Sequence, residues 1–179
     1  MDVGLDFRGF DISPQATSIA NKKENANLKF YNEDFLESIV HPPDLLLLLD
    51  VFEHISDYRG FLGSLRKKDA RVIFHIPLDI VANEVLRKSD YMLYMHHKYG
   101  HLHFFTKEIA LITLSDLGYD VIDYFYTDDL EIEGIPWGIR PKLSYGARKM
   151  MFRLNPEFTA SLFKGYNLLV LAWGDRKQE

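Results

Sequence analysis

Residues 44–57 read Asp-Leu-Leu-Leu-Leu-Leu-Asp-Val-Phe-Glu-His-Ile-Ser-Asp. The run Leu45–Leu49 is apolar on both faces of an extended chain, which is typical of a parallel strand buried between two helix layers. The run ends at Asp50, far short of the ~20 residues that a membrane-spanning helix needs. This stretch therefore predicts an interior strand of an α/β sheet with a carboxylate at its carboxyl end.

On both sides of this strand, short apolar segments alternate with helical patterns. Further strands are predicted over 9–12, 28–31, 71–76, 119–126 and 166–173. Helices are predicted over 15–23, 57–68, 79–87, 107–117 and 143–153. Such alternation predicts a mostly parallel, twisted sheet with helices on both faces, in a single domain over 1–179. Ligands of such sheets bind beyond the carboxyl ends of the strands.

The composition excludes several classes of protein. The chain has 179 residues, of which 47% are hydrophobic and none is cysteine, so a disordered chain, a disulfide scaffold and a thiolate zinc site are excluded. Its 26 acidic and 21 basic residues give a net charge of −5, and we expect no nucleic-acid partner. The first residues lack the pattern of a signal peptide, so the expected location is the cytoplasm.

Acidic residues stand at three predicted strand ends: Asp11, Asp34 and Asp50. A carboxylate in this position of a nucleotide-binding sheet can accept hydrogen bonds from both ribose hydroxyls, a role that suits Asp11. Asp34 can accept a bond from an adenine amino group while Phe35 lies against the ring. For each residue taken singly, ordinary turn chemistry is the alternative.

Four motifs follow one another along the chain: Gly-Phe-Asp-Ile-Ser at 9–13, Asp-Phe at 34–35, Asp-Val-Phe-Glu-His-Ile-Ser-Asp at 50–57, and His-Leu-His-Phe-Phe-Thr at 101–106. In order and spacing they resemble the class I S-adenosylmethionine-dependent methyltransferases, in particular the bacterial small-molecule branch, over about residues 8–126. The resemblance implies a Rossmann-like fold with an antiparallel last strand, S-adenosylmethionine as cofactor and a small-molecule methyl acceptor.

The resemblance also implies the roles of individual residues. On the cofactor it places Asp11 at the ribose, Ile12, Asp34 and Phe35 at the adenine, and Asp50 and Val51 beside the methionine part. It also implies that His54 and Glu53 face the substrate side.

The first strand and the glycine-rich turn of this family do not appear before Gly9. Only four residues separate Gly4 from Gly9, whereas a crossover between parallel strands takes about a dozen residues. Two hypotheses stay open at this point: an active methyltransferase, or an incomplete, non-catalytic module that binds a partner. An open edge inside the sheet would also favour a homodimer.

Histidines supply the candidate catalytic groups. A histidine has an ordinary pKa near ~6.5 and can remove a proton from a methyl acceptor, and His54 and His101 are the best candidates. The alternative is that His54 begins a helix and His101 anchors a loop. We expect no metal site, because the chain has neither cysteine nor a helical His-Glu-x-x-His pattern. A metal-dependent hydrolase is thus the weakest hypothesis.

Residues 140–153 carry five basic side chains and no acidic one. A helix there would have an apolar stripe of Leu143, Ala147, Met150 and Leu154, flanked by Lys142, Lys149 and Arg153. We expect the stripe to pack on the core, and binding to anionic lipid is the alternative.

Overall fold

The computed structural model describes residues 4–38, 43–68, 70–129 and 139–174, and of these 139–144 by their backbone alone. Contacts divide the chain into two compact units, residues 1–42 and residues 43–179. Each unit has its own sheet. The single domain predicted over 1–179 stays a prediction.

The first unit is built on a pair of parallel strands, β1 (Phe7–Phe10) and β2 (Leu28–Tyr31). Helix α1 (Pro14–Ala20) connects them and is extended by a 3-10 turn, and a short helix, α2 (Phe35–Ser38), follows β2. The start of α1 follows from the sequence, because the Ser13 side chain accepts a hydrogen bond from a backbone N–H of the first turn and Pro14 needs no such partner.

The strand predicted over 9–12 ends earlier, at Phe10. Asp11 still donates its N–H to the carbonyl oxygen of Tyr31 (3.1 Å), but its carboxylate accepts the N–H of Ser13 at 2.7 Å. This local turn ends the strand and leaves Ile12 outside it, with its side chain 78% exposed. The sequence prediction was therefore wrong at this boundary.

The second unit contains a four-stranded sheet in the order β3, β4, β6, β5. Its strands are β3 (Leu45–Leu49), β4 (Arg71–Pro77), β5 (Asp120–Asp128) and β6 (Tyr166–Trp173). β3 and β4 are parallel, and β6 lies antiparallel to both β4 and β5. β3, β4 and β5 therefore point the same way, which confirms the predicted mostly parallel sheet with an antiparallel last strand.

Helices of the second unit connect the strands and cover the sheet. They are α3 (Tyr58–Arg66), α4 (Ala82–Leu86), α5 (Tyr91–Tyr99), α6 (Lys107–Asp116), α7 (Ile139–Leu154) and α8 (Pro156–Leu162). Alternate residues of the central strands and the apolar faces of α3 and α6 form the core, which includes Val72, Phe74, Ile76, Leu168, Val170, Leu62, Leu65 and Leu114. The Thr106 side chain caps α6, as predicted.

β3 differs from the prediction in its burial. Leu48 is buried, but Leu45, Leu47 and Leu49 are 47%, 50% and 53% exposed. The prediction that helices cover both faces of this strand was therefore wrong. The physical reason is that the face of β3 that carries these three leucines is left uncovered by the described residues.

Helix α7 also departs from the prediction. Three members of its apolar stripe, Ala147, Met150 and Leu154, are exposed. The helix instead packs through Phe152, whose ring stacks on Tyr166 at 4.8 Å between centroids. The expectation that the stripe faces the core was therefore wrong for these residues. In the described part of the chain, no helix is both long and apolar enough to span a bilayer.

Candidate active site

The carboxyl end of β3 leads into a 3-10 turn, Phe52–His54, which lies against the segment that follows α5. The backbone N–H groups of Leu102 and His103 both donate to the carbonyl oxygen of Glu53, at 2.8 and 3.1 Å. These two bonds hold the turn beside His101. Side chains from distant parts of the sequence therefore meet here.

His101 is buried and belongs to a chain of polar contacts. Its Nδ1 lies 2.8 Å from Oδ2 of Asp79, which is also buried, and the Tyr91 hydroxyl donates to the other carboxylate oxygen at 2.9 Å. Burial by itself lowers the pKa of His101, but the hydrogen bond and charge of Asp79 outweigh it, so that this pKa lies above its ordinary value. The imidazole is therefore oriented by Asp79 and has its Nε2 directed away from that bond.

His54 is the exposed member of the site, with 37% of its side chain accessible. Its Nδ1 lies 3.2 Å from the carbonyl oxygen of Gly100, and its Nε2 lies 3.7 Å from Oε1 of Glu53. The rings of His54 and His101 meet edge to face, with centroids 5.0 Å apart. The two histidines proposed from the sequence as proton acceptors thus lie side by side.

The Glu53 carboxylate is fully buried, and neither of its oxygens has a hydrogen-bond partner within the described residues. Desolvation raises the pKa of Glu53 to about 7, and the negative charges of Asp50 and Asp79 act in the same direction. An unpaired buried carboxylate is costly and uncommon in native proteins. Glu53 is therefore a strong candidate for a functional group.

Asp50 adopts a left-handed backbone conformation (φ 50°), which aspartate tolerates better than most residues. Its Oδ1 lies 2.8 Å from Nδ1 of His75, and Nε2 of His75 lies 3.1 Å from the hydroxyl of Thr127. The hydrogen bond with Asp50 raises the pKa of His75. The next residue, Val51, is half-buried at the start of the 3-10 turn.

Asp11 and Asp34 lie at the carboxyl ends of the neighbouring strands β1 and β2, as predicted. Oδ1 of Asp11 accepts a backbone N–H, and Oδ1 of Asp34 accepts the N–H of Leu36 at 2.8 Å, so both also perform the turn chemistry considered as the alternative. Each carboxylate has a second oxygen, and the two roles are compatible. Phe35 packs edge-on against Phe10, with centroids 5.5 Å apart. Cofactor binding by these residues stays a prediction.

The sequence analysis missed both Asp79 and His75 as site residues. The sequence could have indicated both, because ligands of parallel sheets bind beyond the carboxyl ends of the strands. His75 lies near the carboxyl end of β4, and Asp79 comes two residues after Pro77, where β4 ends. The sequence analysis considers only the acidic ends of the first three predicted strands.

The fold is similar to those of several solved enzymes, although sequence identity to them is low. An S-adenosylmethionine-dependent methyltransferase from Methanosarcina mazei shares 12% identity with a TM-score of 0.57, over 95% of this chain and 82% of that one. The cyclopropane synthase MmaA2 from Mycobacterium tuberculosis shares 13% identity with a TM-score of 0.56, over 94% and 69%. Magnesium protoporphyrin IX methyltransferase from Synechocystis, which has bound S-adenosylhomocysteine, shares 16% identity with a TM-score of 0.52, over 93% and 62%.

No curated protein sequence matches the chain at a significant level. The family described as "Methyltransferase domain" matches residues 2–124, well over half of the sequence. This match confirms the resemblance that the four motifs indicate, and the structural neighbours confirm the Rossmann-like fold class. The chain therefore belongs to the methyltransferase-domain family.

Proposed function

We propose that the chain uses S-adenosylmethionine to methylate a small molecule. The family match and the acidic strand ends support the choice of cofactor, as do neighbours such as the Synechocystis enzyme with its bound S-adenosylhomocysteine. In this proposal Asp11, Ile12, Asp34 and Phe35 bind the adenosine part, and Asp50 and Val51 lie beside the methionine part.

The observation that carries the proposal is the buried pair of His101 and Asp79, beside His54. Methyl transfer from a sulfonium is an in-line displacement: the acceptor atom forms a bond to the methyl carbon, and the carbon–sulfur bond breaks to leave neutral S-adenosylhomocysteine. A hydroxyl or protonated amine acceptor must also lose a proton, which Nε2 of His101 can take. Asp79 then stabilises the imidazolium.

Binding of the reaction product S-adenosylhomocysteine tests the choice of cofactor. Calorimetric titration of the full chain should show saturable binding, and Asp11→Asn should weaken it at least ~10-fold, since a charge-assisted bond to a hydroxyl contributes ~1.5–3 kcal/mol. Asp44→Asn is the matched control, because Asp44 precedes the opposite end of β3. Absence of heat and of a thermal shift with the wild-type chain would refute the proposal and favour the non-catalytic module.

One observation favours that second candidate, a module that associates with its own copy. The edge strand β3 exposes a row of leucines, Leu45, Leu47 and Leu49, and an unpaired edge can take a strand from another chain. Sedimentation equilibrium of the wild type and of Leu47→Lys measures this directly. A homodimer through β3 should dissociate in the variant, whereas a wild-type monomer contradicts it.

A further inference from the structure

Three side chains at the candidate active site can direct ligand atoms toward one point: Glu53, His54 and His101. One oxygen or nitrogen from each lies within 4.8 Å of the others, and the distance from Oε1 of Glu53 to Nε2 of His54 is 3.7 Å. Two ligand atoms that each lie ~2.1 Å from one metal ion are at most ~4.2 Å apart. The three ligand atoms therefore need to approach one another only slightly to bind one ion.

The hydrogen bonds of the two histidines leave the same ring nitrogen available on each. A backbone carbonyl oxygen only accepts hydrogen bonds, so Nδ1 of His54 must donate to Gly100. Nδ1 of His101 likewise donates to the carboxylate of Asp79. In the neutral rings, Nε2 therefore carries the lone pair. A histidine that binds a metal through one ring nitrogen usually donates the N–H of its other ring nitrogen to a carboxylate or carbonyl oxygen in this way.

The Glu53 carboxylate supplies a second and independent observation. It is completely buried, it lies at the same point as the two histidines, and both of its oxygens lack a hydrogen-bond partner in the described part of the chain. Asp50 and Asp79 add negative charge around it. A divalent cation would neutralise this charge and bind the carboxylate oxygens, to which no described group donates a hydrogen bond.

We propose that Glu53, His54 and His101 bind one divalent first-row transition-metal ion, such as Zn²⁺. Two imidazole nitrogens and one carboxylate oxygen are a ligand set that zinc takes in catalytic sites, where a further position stays open. Of the three side chains, that of His54 is the exposed one. The sequence analysis expected no metal, because its rules look for ligands close together on one element, whereas His101 is far along the chain from Glu53.

The role of the ion rests on the proposed function, although its binding does not. A hydroxyl group of the acceptor bound to the ion would lose its proton to solvent more readily, and the ion would in this way promote the attack on the methyl carbon. The site would then favour an acceptor with a hydroxyl group. In the metal-bound form Nε2 of His101 is occupied, so the ion replaces this histidine as the group that promotes proton loss.

The test is metal binding by the full chain after removal of metal with a chelator. Calorimetry with Zn²⁺ should give one site per chain, and Co²⁺ should give the absorption bands of a protein-bound ion. Glu53→Gln, which keeps the shape of the side chain, and His54→Gln, on an exposed side chain, should each weaken Zn²⁺ binding at least ~10-fold. His97→Gln is the control, since His97 is an exposed histidine outside the cluster.

Two results would overturn the proposal: a wild-type chain that takes up neither ion, or a His97→Gln variant that loses as much affinity as the cluster variants. Circular dichroism establishes that each variant is folded. Titration with S-adenosylhomocysteine is independent of these measurements. A chain that binds zinc but not S-adenosylhomocysteine would support the metal site and refute the methyltransferase proposal. A chain that binds S-adenosylhomocysteine but not zinc would refute the metal site and support the methyltransferase proposal.

Discussion

Substitution of Glu53 by glutamine should make the metal-free protein more stable at alkaline pH. The pKa of this buried carboxyl rises from its ordinary value of 4.5 to about 7, chiefly through desolvation. Between pH 4.5 and pH 7, Glu53 keeps its proton in the folded chain and has lost it in the unfolded chain. Because the folded state binds more protons, the free energy of unfolding decreases as the pH rises from 4.5 to 7.

The size of the effect follows from the two pKa values. At ~1.4 kcal/mol for each pH unit between them, ionised Glu53 costs the folded protein about 3 kcal/mol at pH 8 relative to its protonated form. Glutamine has the same shape and no charge, so it avoids this cost. At pH 5 most of the cost is absent from the wild type as well, and the variant should gain little there.

Urea unfolding in the presence of a chelator measures the difference. The free energy of unfolding of Glu53→Gln minus that of the wild type should grow by about 2–3 kcal/mol between pH 5 and pH 8. Glu33→Gln, on an exposed glutamate, should stay within about 0.5 kcal/mol of the wild type at both pH values. If the stability difference for Glu53→Gln is the same at both pH values, Glu53 is not a desolvated acid and the reasoning is wrong.

Two further predictions concern the second unit. Asp50→Asn should lower the pKa of His75, because the hydrogen bond that the imidazole donates to Asp50 is the main cause that raises this pKa; an NMR titration of the imidazole that shows no decrease would contradict the contact. Gly118→Ala should destabilise the fold by about 1–2 kcal/mol, since Gly118 has φ +81° and an added Cβ would lie 2.6 Å from Nη1 of Arg66. Gly63→Ala lies inside α3 with open space around the added Cβ, and it should instead stabilise the fold by about 0.5–1 kcal/mol. Urea unfolding measures both variants, and changes of the same sign in their free energies of unfolding would refute this difference.

The alternation of strands and helices was predictable because it depends on local patterns. The leucine run at 45–49 became β3 with the predicted bounds, and Thr106 caps the helix that it was expected to cap. Burial was less predictable, because it depends on what packs against an element. Leu47 has the same sequence environment as Leu48, yet of the two only Leu48 is buried, since no described residue covers the opposite face of this strand.

The residues of the candidate site were likewise predictable only in part. His54 and His101 were identified from their motifs, and the structure brings them together. Asp79 could have been found from its position just beyond the carboxyl end of β4. Its contact with His101 could not, because it joins residues on either side of α4 and α5, and no local pattern marks such a pair. The unpaired state of Glu53 could not be predicted either, since it depends on every group around the carboxylate.

The position of β6 has a consequence for the order in which the second unit is assembled. Among the described strands β5 pairs with β6 alone, and β6 is made some forty residues later during synthesis. Until Tyr166–Trp173 leaves the ribosome, β5 has no neighbour in the described sheet and β4 presents an unsatisfied edge. A nascent chain arrested before that point would leave β5 and one edge of β4 unpaired, and such an intermediate is the form that chaperones would bind.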